Sequence, residues 1–220
     1  MSGVKYIFFD AANTLIHKPA LWPKLQEQLK KHGFDVPENM LRRNHKLLSE
    51  SIRFPDRTSK DFYLGFNAEL LYSLGISPGN QLLEDIFASC TYLSWEPFSD
   101  TKIIGSLPVP AGVLSNFNSS LKNTIGGMFG DAFKKIIISE DHGIAKPHPD
   151  FFRLAVEASG VKADEILFIG DSIRLDMEPA EKAGMKKLLI DRDDVYPLYR
   201  DRITSLDELI VYLQNSAPSV

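Results

Sequence analysis

The chain has 220 residues, of which 44% are hydrophobic and 25% charged. That balance belongs to a globular protein with one main core and room for a modest satellite, and it excludes wholesale disorder. A formal net charge of -4 gives no general attraction for nucleic acid or an anionic membrane surface, so neither is expected as a partner.

The opening MSGVKYIFFD has one short apolar run and lacks the long apolar region and cleavage site of a secretory leader. No stretch approaches the ~18–20 apolar residues of a membrane span. The single cysteine, Cys90, excludes an intramolecular disulfide and reads as a small buried hydrophobe in a reducing compartment. A cytoplasmic location is therefore expected.

Residues 4–10, VKYIFFD, are β-branched and aromatic with scarcely a polar interruption, the pattern of a strand covered on both faces. From 17 to 95 no run of that quality recurs. Helical spacing takes over: Leu21, Leu25 and Leu29 before Gly33, then a helix opened by Pro37 and carrying Leu41, Leu47 and Leu48. Thr58 is expected to cap a third helix with Phe62, Phe66 and Leu70, and Pro78 opens a fourth with Leu82, Leu83, Ile86 and Phe87.

Strand-like runs return at 109–115, 132–139, 164–170 and 185–191. Between them lie helices: one with Leu121, Ile125 and Met128, expected to end early at Gly126–Gly127, and one from Pro149 to Gly160. A third ends near Gly184, and a last one opens with the capping box Ser205–Glu208. The irregular stretch 94–112 is left unplaced, and the tail NSAPSV is expected to be disordered. Strands alternating with helices specify an α/β, Rossmann-like, three-layer core with a parallel sheet. The expected domains are a core of residues 1–16 and 96–220 and an inserted all-helical cap of residues 17–95.

Parallel sheets place ligands beyond the carboxyl ends of their strands. That rule selects Asp10, Ser115 with Asn116, the loop after Ser139, and Gly170 with Asp171. Four segments fall there in order: FFDAANTL (8–15), VLSN (113–116), GIAKPHPDFF (143–152) and GDSIRLD (170–176). Each alone is a weak signal. Together they closely resemble the motifs of the haloacid dehalogenase-like hydrolase superfamily, in its phosphatase-like branch with a helical cap.

The resemblance implies a Mg²⁺-dependent hydrolase acting on a small phosphorylated molecule through an aspartyl phosphate. Asp10 would be the nucleophile. Lys146 would neutralise Asp10 and the phosphoryl oxygens, and Ser115 would donate its hydroxyl to one of them. Mg²⁺, a hard cation that takes oxygen ligands, would be held by Asp10, Asp171 and the carbonyl of Ala12, with Asp176 acting through water or hydrogen bonds. Asn13 and Thr14 would fix the first loop, Asn116 would add an amide near the phosphoryl group, and Ser172 would brace the fourth motif.

Ala12 departs from the family pattern. Phosphatases of this family carry Asp there, which protonates the leaving group and then activates water, help that typically contributes 10²–10⁴-fold. A methyl group does neither. His17 could supply the missing proton, or it could simply pack near Pro19 and Trp22. Two alternatives stay open. One is a non-catalytic or weakly active phosphate-binding protein. The other is a phosphonoacetaldehyde hydrolase-like enzyme, a branch that carries Ala at this position but needs an imine-forming lysine in the cap; Lys46 lies in the right part of the chain, in surroundings that read as basic and solvated. Dehalogenation is disfavoured by GDSIRLD and by the lack of arginine in IHKPALWPK.

Overall fold

In the computed structural model, which describes residues 3–215, the first strand is β1 (Tyr6–Phe9), buried along its whole length. Phe8 points to one face of the sheet and Ile7 and Phe9 to the other, and all three are fully buried. A strand with no charged side chain to turn toward water needs cover on both sides, and a parallel sheet with flanking helices provides it. The remaining strands of the sheet are β4 (Ala111–Ser115), β5 (Phe133–Ile138), β6 (Ile166–Gly170), β7 (Lys186–Ile190) and β8 (Arg202–Ile203). The order is β5-β4-β1-β6-β7-β8, and every neighbouring pair is parallel. Phe9 is level with Val113 of β4 and Ile169 of β6. The chain segments leaving β1, β4 and β6 therefore emerge side by side at one end of the sheet.

Two further strands, β2 (Ile16–His17) and β3 (Glu96–Pro97), pair in a separate ribbon where the chain leaves this unit and returns to it. The stretch that the sequence left unplaced holds β3 and a 3₁₀ segment, Ser99–Ser106. Neither it nor the two-residue β8 is long enough to show a period. The chain divides into two compact units, Met1–His17 with Pro97–Val220, and Lys18–Glu96.

The Lys18–Glu96 unit contains α1 (Leu21–Lys31), α2 (Glu38–Ser49), α3 (Lys60–Ser73) and α4 (Asn80–Cys90). Its core is Trp22, Leu25, Leu29, Leu41, Leu70, Leu71, Leu82 and Ile86 with their neighbours. Leu29 and Leu41 are fully buried, a burial worth roughly 1.5–3 kcal/mol for each side chain. The cap of α3 is Ser59, whose hydroxyl accepts the N–H of Phe62 at 3.1 Å; the sequence pointed one residue too early, to Thr58.

In the sheet unit, α5 (Leu121–Phe129) runs through Gly126–Gly127 and stops at Gly130, contrary to the expected early end. Burial of Leu121 and Ile125 and the edge contact of Phe129 with Phe133, 5.5 Å between rings, hold its last turn. A short α6 (Ser139–His142) follows β5. Next comes α7 (Pro149–Ser159), which buries Phe151, Phe152 and Ala155 against Phe8 and Phe168 of the sheet and stops at Gly160, in the left-handed conformation at φ 71°. A π-helical turn, Ile173–Met177, leads into α8 (Glu178–Lys182). Ser205 and Glu208 form the expected capping box before α9 (Leu209–Asn215). Residues 216–220, most of the NSAPSV tail, lie outside the described residues. Among the described residues no helix is long and apolar enough to cross a membrane.

Candidate active site

Asp10 is the first residue beyond β1. Its N–H donates to the carbonyl of Ile169 at 2.8 Å, so the sheet holds its backbone while its side chain stands at the strand end. The hydroxyl of Ser115, the last residue of β4, donates to Asp10 Oδ1 at 3.0 Å. The ammonium of Lys146 donates to the same oxygen at 2.7 Å and to Asp176 Oδ1 at 2.6 Å.

Lys146 comes from the loop between α6 and α7. Asn116 shapes that loop: its side-chain amide donates to the Lys146 carbonyl at 2.9 Å and its oxygen accepts the Lys146 N–H at 2.7 Å. Both ends of the Asn116 amide are thus committed to the loop backbone. Asp176 lies on the π-helical turn, and its Oδ2 accepts the N–H of Ser172 at 3.0 Å. Ser172 in turn caps that turn, its hydroxyl accepting from Leu175 N–H at 2.9 Å. Gly170 makes this approach possible, because a Cβ there would lie 2.4 Å from Asp176 Oδ2.

Carboxylate oxygens of Asp10, Asp171 and Asp176 lie within 4.8 Å of one another; Asp171 is half-buried and the other two are buried. Burial disfavours the charge on Lys146, but Asp10 and Asp176 outweigh it and hold the lysine above its usual pKa. Asp176 is pushed up to about 7, first by burial and then by Asp10 and Asp171, with Lys146 opposing. Asp10 and Asp176 thus share one ammonium, with Asp171 close by. A donor set of carboxylate oxygens with no sulfur or imidazole fits a hard divalent cation such as Mg²⁺.

The loop after Asp10 folds on itself. The N–H groups of Leu15 and Ile16 donate to the Ala11 carbonyl at 2.8 and 3.0 Å, and Asn13, at φ 60°, donates its N–H to Ile16 at 2.7 Å. Ala12 is half-buried. Thr14 is fully buried, and its hydroxyl has no hydrogen-bond partner among the described residues. Its carbonyl accepts from Arg192 Nη2 at 2.8 Å. His17 stacks on Phe98, 4.0 Å between rings and 11° from parallel, where the sequence offered Pro19 and Trp22 as its neighbours.

Three residues of this neighbourhood escaped sequence reasoning: Phe98, Asp100 and Arg192. The first two lie in the irregular stretch before β4. Arg192 has only its position just beyond a buried strand to mark it.

In the helical unit, the Lys46 ammonium pairs with Glu50 at 3.2 Å and its side chain is only 14% exposed. The expected solvated surroundings are thereby corrected: the i,i+4 spacing on α2 brings the carboxylate over the lysine. Arg42, from the same basic stretch, pairs with Glu38 and lies over the Trp22 ring. Burial pushes the Cys90 thiol up to about 11, which keeps it protonated and unreactive near neutral pH.

Known proteins carry the same plan. The chain belongs to the haloacid dehalogenase-like hydrolases, whose family model matches residues 4–184. It is 33% identical over 137 residues to haloacid dehalogenase-like hydrolase domain-containing protein 3 of Danio rerio, covering 58% of this chain and 57% of that protein. It is 36% identical over 90 residues to the glyceraldehyde 3-phosphate phosphatase of Methanocaldococcus jannaschii, covering 38% of this chain and 39% of that enzyme. The chain thus spans less than two thirds of either relative. Among solved structures, the HAD-hydrolase YfnB of Bacillus subtilis, bound to magnesium, superposes with a TM-score of 0.64 at 21% identity, over 97% of this chain and all of that one. At that identity the likeness is one of fold.

Proposed function

We propose that the protein hydrolyses a small phosphorylated molecule, with Asp10 as nucleophile and Mg²⁺ as cofactor. The observation that carries the reading is the unequal use of the Asp10 oxygens. Ser115 and Lys146 both bond Oδ1, which leaves Oδ2 as the atom to react. Attack by Oδ2 on phosphorus forms an O–P bond as the bond to the leaving oxygen breaks. Water then attacks the aspartyl phosphate, releases inorganic phosphate and restores the carboxylate.

Lys146 holds the nucleophile in place and meets the negative charge of the incoming phosphoryl oxygens in a dry setting, where such a charge counts most. Asp10, Asp171 and the Ala12 carbonyl are assigned to the ion, with Asp176 bracing the set through Lys146 and the Ser172 N–H. A bound Mg²⁺ supplies charge neutralisation between the carboxylates and the phosphoryl group. The helical unit, inserted between β2 and β3, is assigned the role of cap that selects the substrate, and a small phosphorylated metabolite in the cytoplasm is the expected class. Relatives named as phosphatases support the reaction type.

The test is turnover of acetyl phosphate, p-nitrophenyl phosphate and phosphonoacetaldehyde, with Mg²⁺ and with EDTA, by the parent and by Asp10→Asn. Magnesium-dependent release of phosphate that Asp10→Asn abolishes, at unchanged circular dichroism, is the expected result. Turnover that survives Asp10→Asn would move the chemistry elsewhere. The Lys46–Glu50 pair weighs against the phosphonoacetaldehyde branch, because it engages the amine that an imine would need. A second reading, a phosphate-binding protein with little turnover, is favoured by one observation alone, the methyl group at position 12.

A further inference from the structure

Arg192 lies two residues beyond β7, outside all four motif segments. Three residues from two segments of the chain meet on its guanidinium. Nη1 and Nη2 grip both oxygens of Asp100 at 2.6 and 3.1 Å. Nη2 also donates to the carbonyl of Thr14 at 2.8 Å, in the loop that carries Asp10 and Ala12. The guanidinium carbon stands 3.8 Å from the centre of the Phe98 ring, and Phe98 is the ring on which His17 stacks.

The arrangement is rigid at its base. Asp100 also accepts the Ser205 hydroxyl at 3.0 Å and the Leu206 N–H at 2.8 Å. It is thus fixed by a segment far away in sequence. The Arg192 and Asp100 side chains are 15% and 7% exposed, so the pair is weakly screened.

The loop, by contrast, is bonded mainly to itself, through the Ala11, Asn13 and Ile16 backbone. The buried Thr14 side chain adds no hydrogen bond among the described residues. Between Ala11 and His17, the loop is tied to the rest of the sheet unit by Arg192 on the Thr14 carbonyl and by the Phe98 N–H on the Leu15 carbonyl at 3.0 Å, and at its far end by the β2–β3 pairing and the His17–Phe98 stack. Arg192 makes the first and packs on the ring of the residue that makes the second.

We propose that Arg192 is a positioning residue for the Asp10 loop. It clamps the loop through the Thr14 carbonyl and through Phe98, with Asp100 as its mount. The planar fork is what the position uses, since a lysine ammonium cannot grip a carboxylate with two bonds, reach a carbonyl and cover a ring face together. The kinetic consequence rests on the reading of Asp10 as nucleophile; the clamp itself does not.

Native-state hydrogen exchange on the metal-free parent, Arg192→Met and Arg192→Lys tests it. The Leu15, Ile16 and Phe98 amides are expected to exchange about tenfold faster or more in both variants, while the β4 and β6 amides keep their protection. For acetyl phosphate with Mg²⁺, kcat of Arg192→Lys should fall about tenfold while KM stays within about threefold. Unchanged loop protection would overturn the proposal. So would an equal acceleration across the sheet, which marks a loss of global stability only. If Arg192→Met does not fold, Arg192→Lys, which keeps the charge beside Asp100, decides alone. If the parent does not turn over acetyl phosphate, the hydrolase reading fails and the exchange data still decide the clamp.

Discussion

Lys146 and Asp176 face each other at 2.6 Å with side chains only 4% and 1% exposed. The ammonium is shared with Asp10, so a single positive charge serves two buried carboxylates, with Asp171 close by. Such a group is held together in the absence of a cation, but at a cost that depends on pH.

Asp176 carries that dependence. Its carboxyl is pushed up to about 7 in the folded chain, from an ordinary value of 3.8. Between those values the folded state binds a proton that the unfolded state has lost, so stability falls as pH rises through the window from about 4 to about 7. In EDTA, urea unfolding should give a higher midpoint at the acid end of that window than at the neutral end, with a slope from this group of at most about 1.4 kcal/mol per pH unit. Asp176→Asn should lose that slope. Magnesium should flatten it in the parent, because a cation favours the ionised carboxylate. Equal slopes in parent and variant would remove Asp176 from this account.

Gly170→Ala addresses the same pair through the backbone. The new Cβ would lie 2.4 Å from Asp176 Oδ2 and 2.5 Å from its Cγ, so the carboxylate must move. A cost of about 1–3 kcal/mol is expected, as for overpacking elsewhere. The more telling readout is titration calorimetry with Mg²⁺, in which affinity should fall. Undiminished affinity would show that the position of Asp176 is immaterial to the ion.

Asp100 predicts the opposite pH behaviour. Burial works to raise its pKa, but the Arg192 guanidinium, the Leu206 N–H and the Ser205 hydroxyl together hold it below the usual carboxylate value. A group depressed on folding contributes stability that is present above its unfolded pKa and lost as pH falls through the folded one. The loss should lie below about pH 4. Acid unfolding followed by circular dichroism should therefore show a shallower transition in Asp100→Asn, from a lower starting stability. A variant with the parental acid limb would mean that the charge on Asp100 is not what the segment around Leu206 and Arg192 holds.

Strands β1, β4, β5, β6 and β7 were legible as short, mainly apolar runs such as YIFF, and most of the helices through apolar residues recurring at helical spacing. The strand-end rule then led to Asp10, Ser115 and Asp171, three positions that the structure brings to one end of the sheet. Lys146 was legible only through the GIAKPHP pattern, since nothing local shows that Asn116 will hold its loop from both sides. The Arg192–Asp100 grip was not legible at all. It joins residues 92 apart whose flanking segments have no period, and a bidentate pair leaves no trace in composition. The stack of His17 on Phe98 was out of sight for a related reason: Phe98 lies where the chain returns after the whole helical unit.

On the proposed mechanism, Ala12 sets how fast the site works. The residue is half-buried in a loop whose shape is set by its neighbours, with both Leu15 and Ile16 bonded to the Ala11 carbonyl and Asn13 turned to φ 60°. A larger side chain at 12 therefore need not alter the backbone. If Asp10 reacts as proposed, a methyl group beside it can neither protonate a leaving oxygen nor activate water. Good leaving groups, as in acetyl phosphate or p-nitrophenyl phosphate, should react in the first step while a simple sugar phosphate reacts poorly. The aspartyl phosphate should then persist, and rapid quench should show a burst followed by slow turnover. Ala12→Asp should raise the rate for the sugar phosphate on the order of tenfold to a thousandfold and remove the burst with the activated substrates. The lower end applies if the new carboxylate is drawn toward Lys146 and away from the leaving group. Fast parental turnover of the sugar phosphate without a burst, together with no gain from Ala12→Asp, would show that another group already moves the proton. His17→Ala would then be compared with the parent, with the stack on Phe98 checked by the near-ultraviolet spectrum, to separate a proton donor from a packing partner.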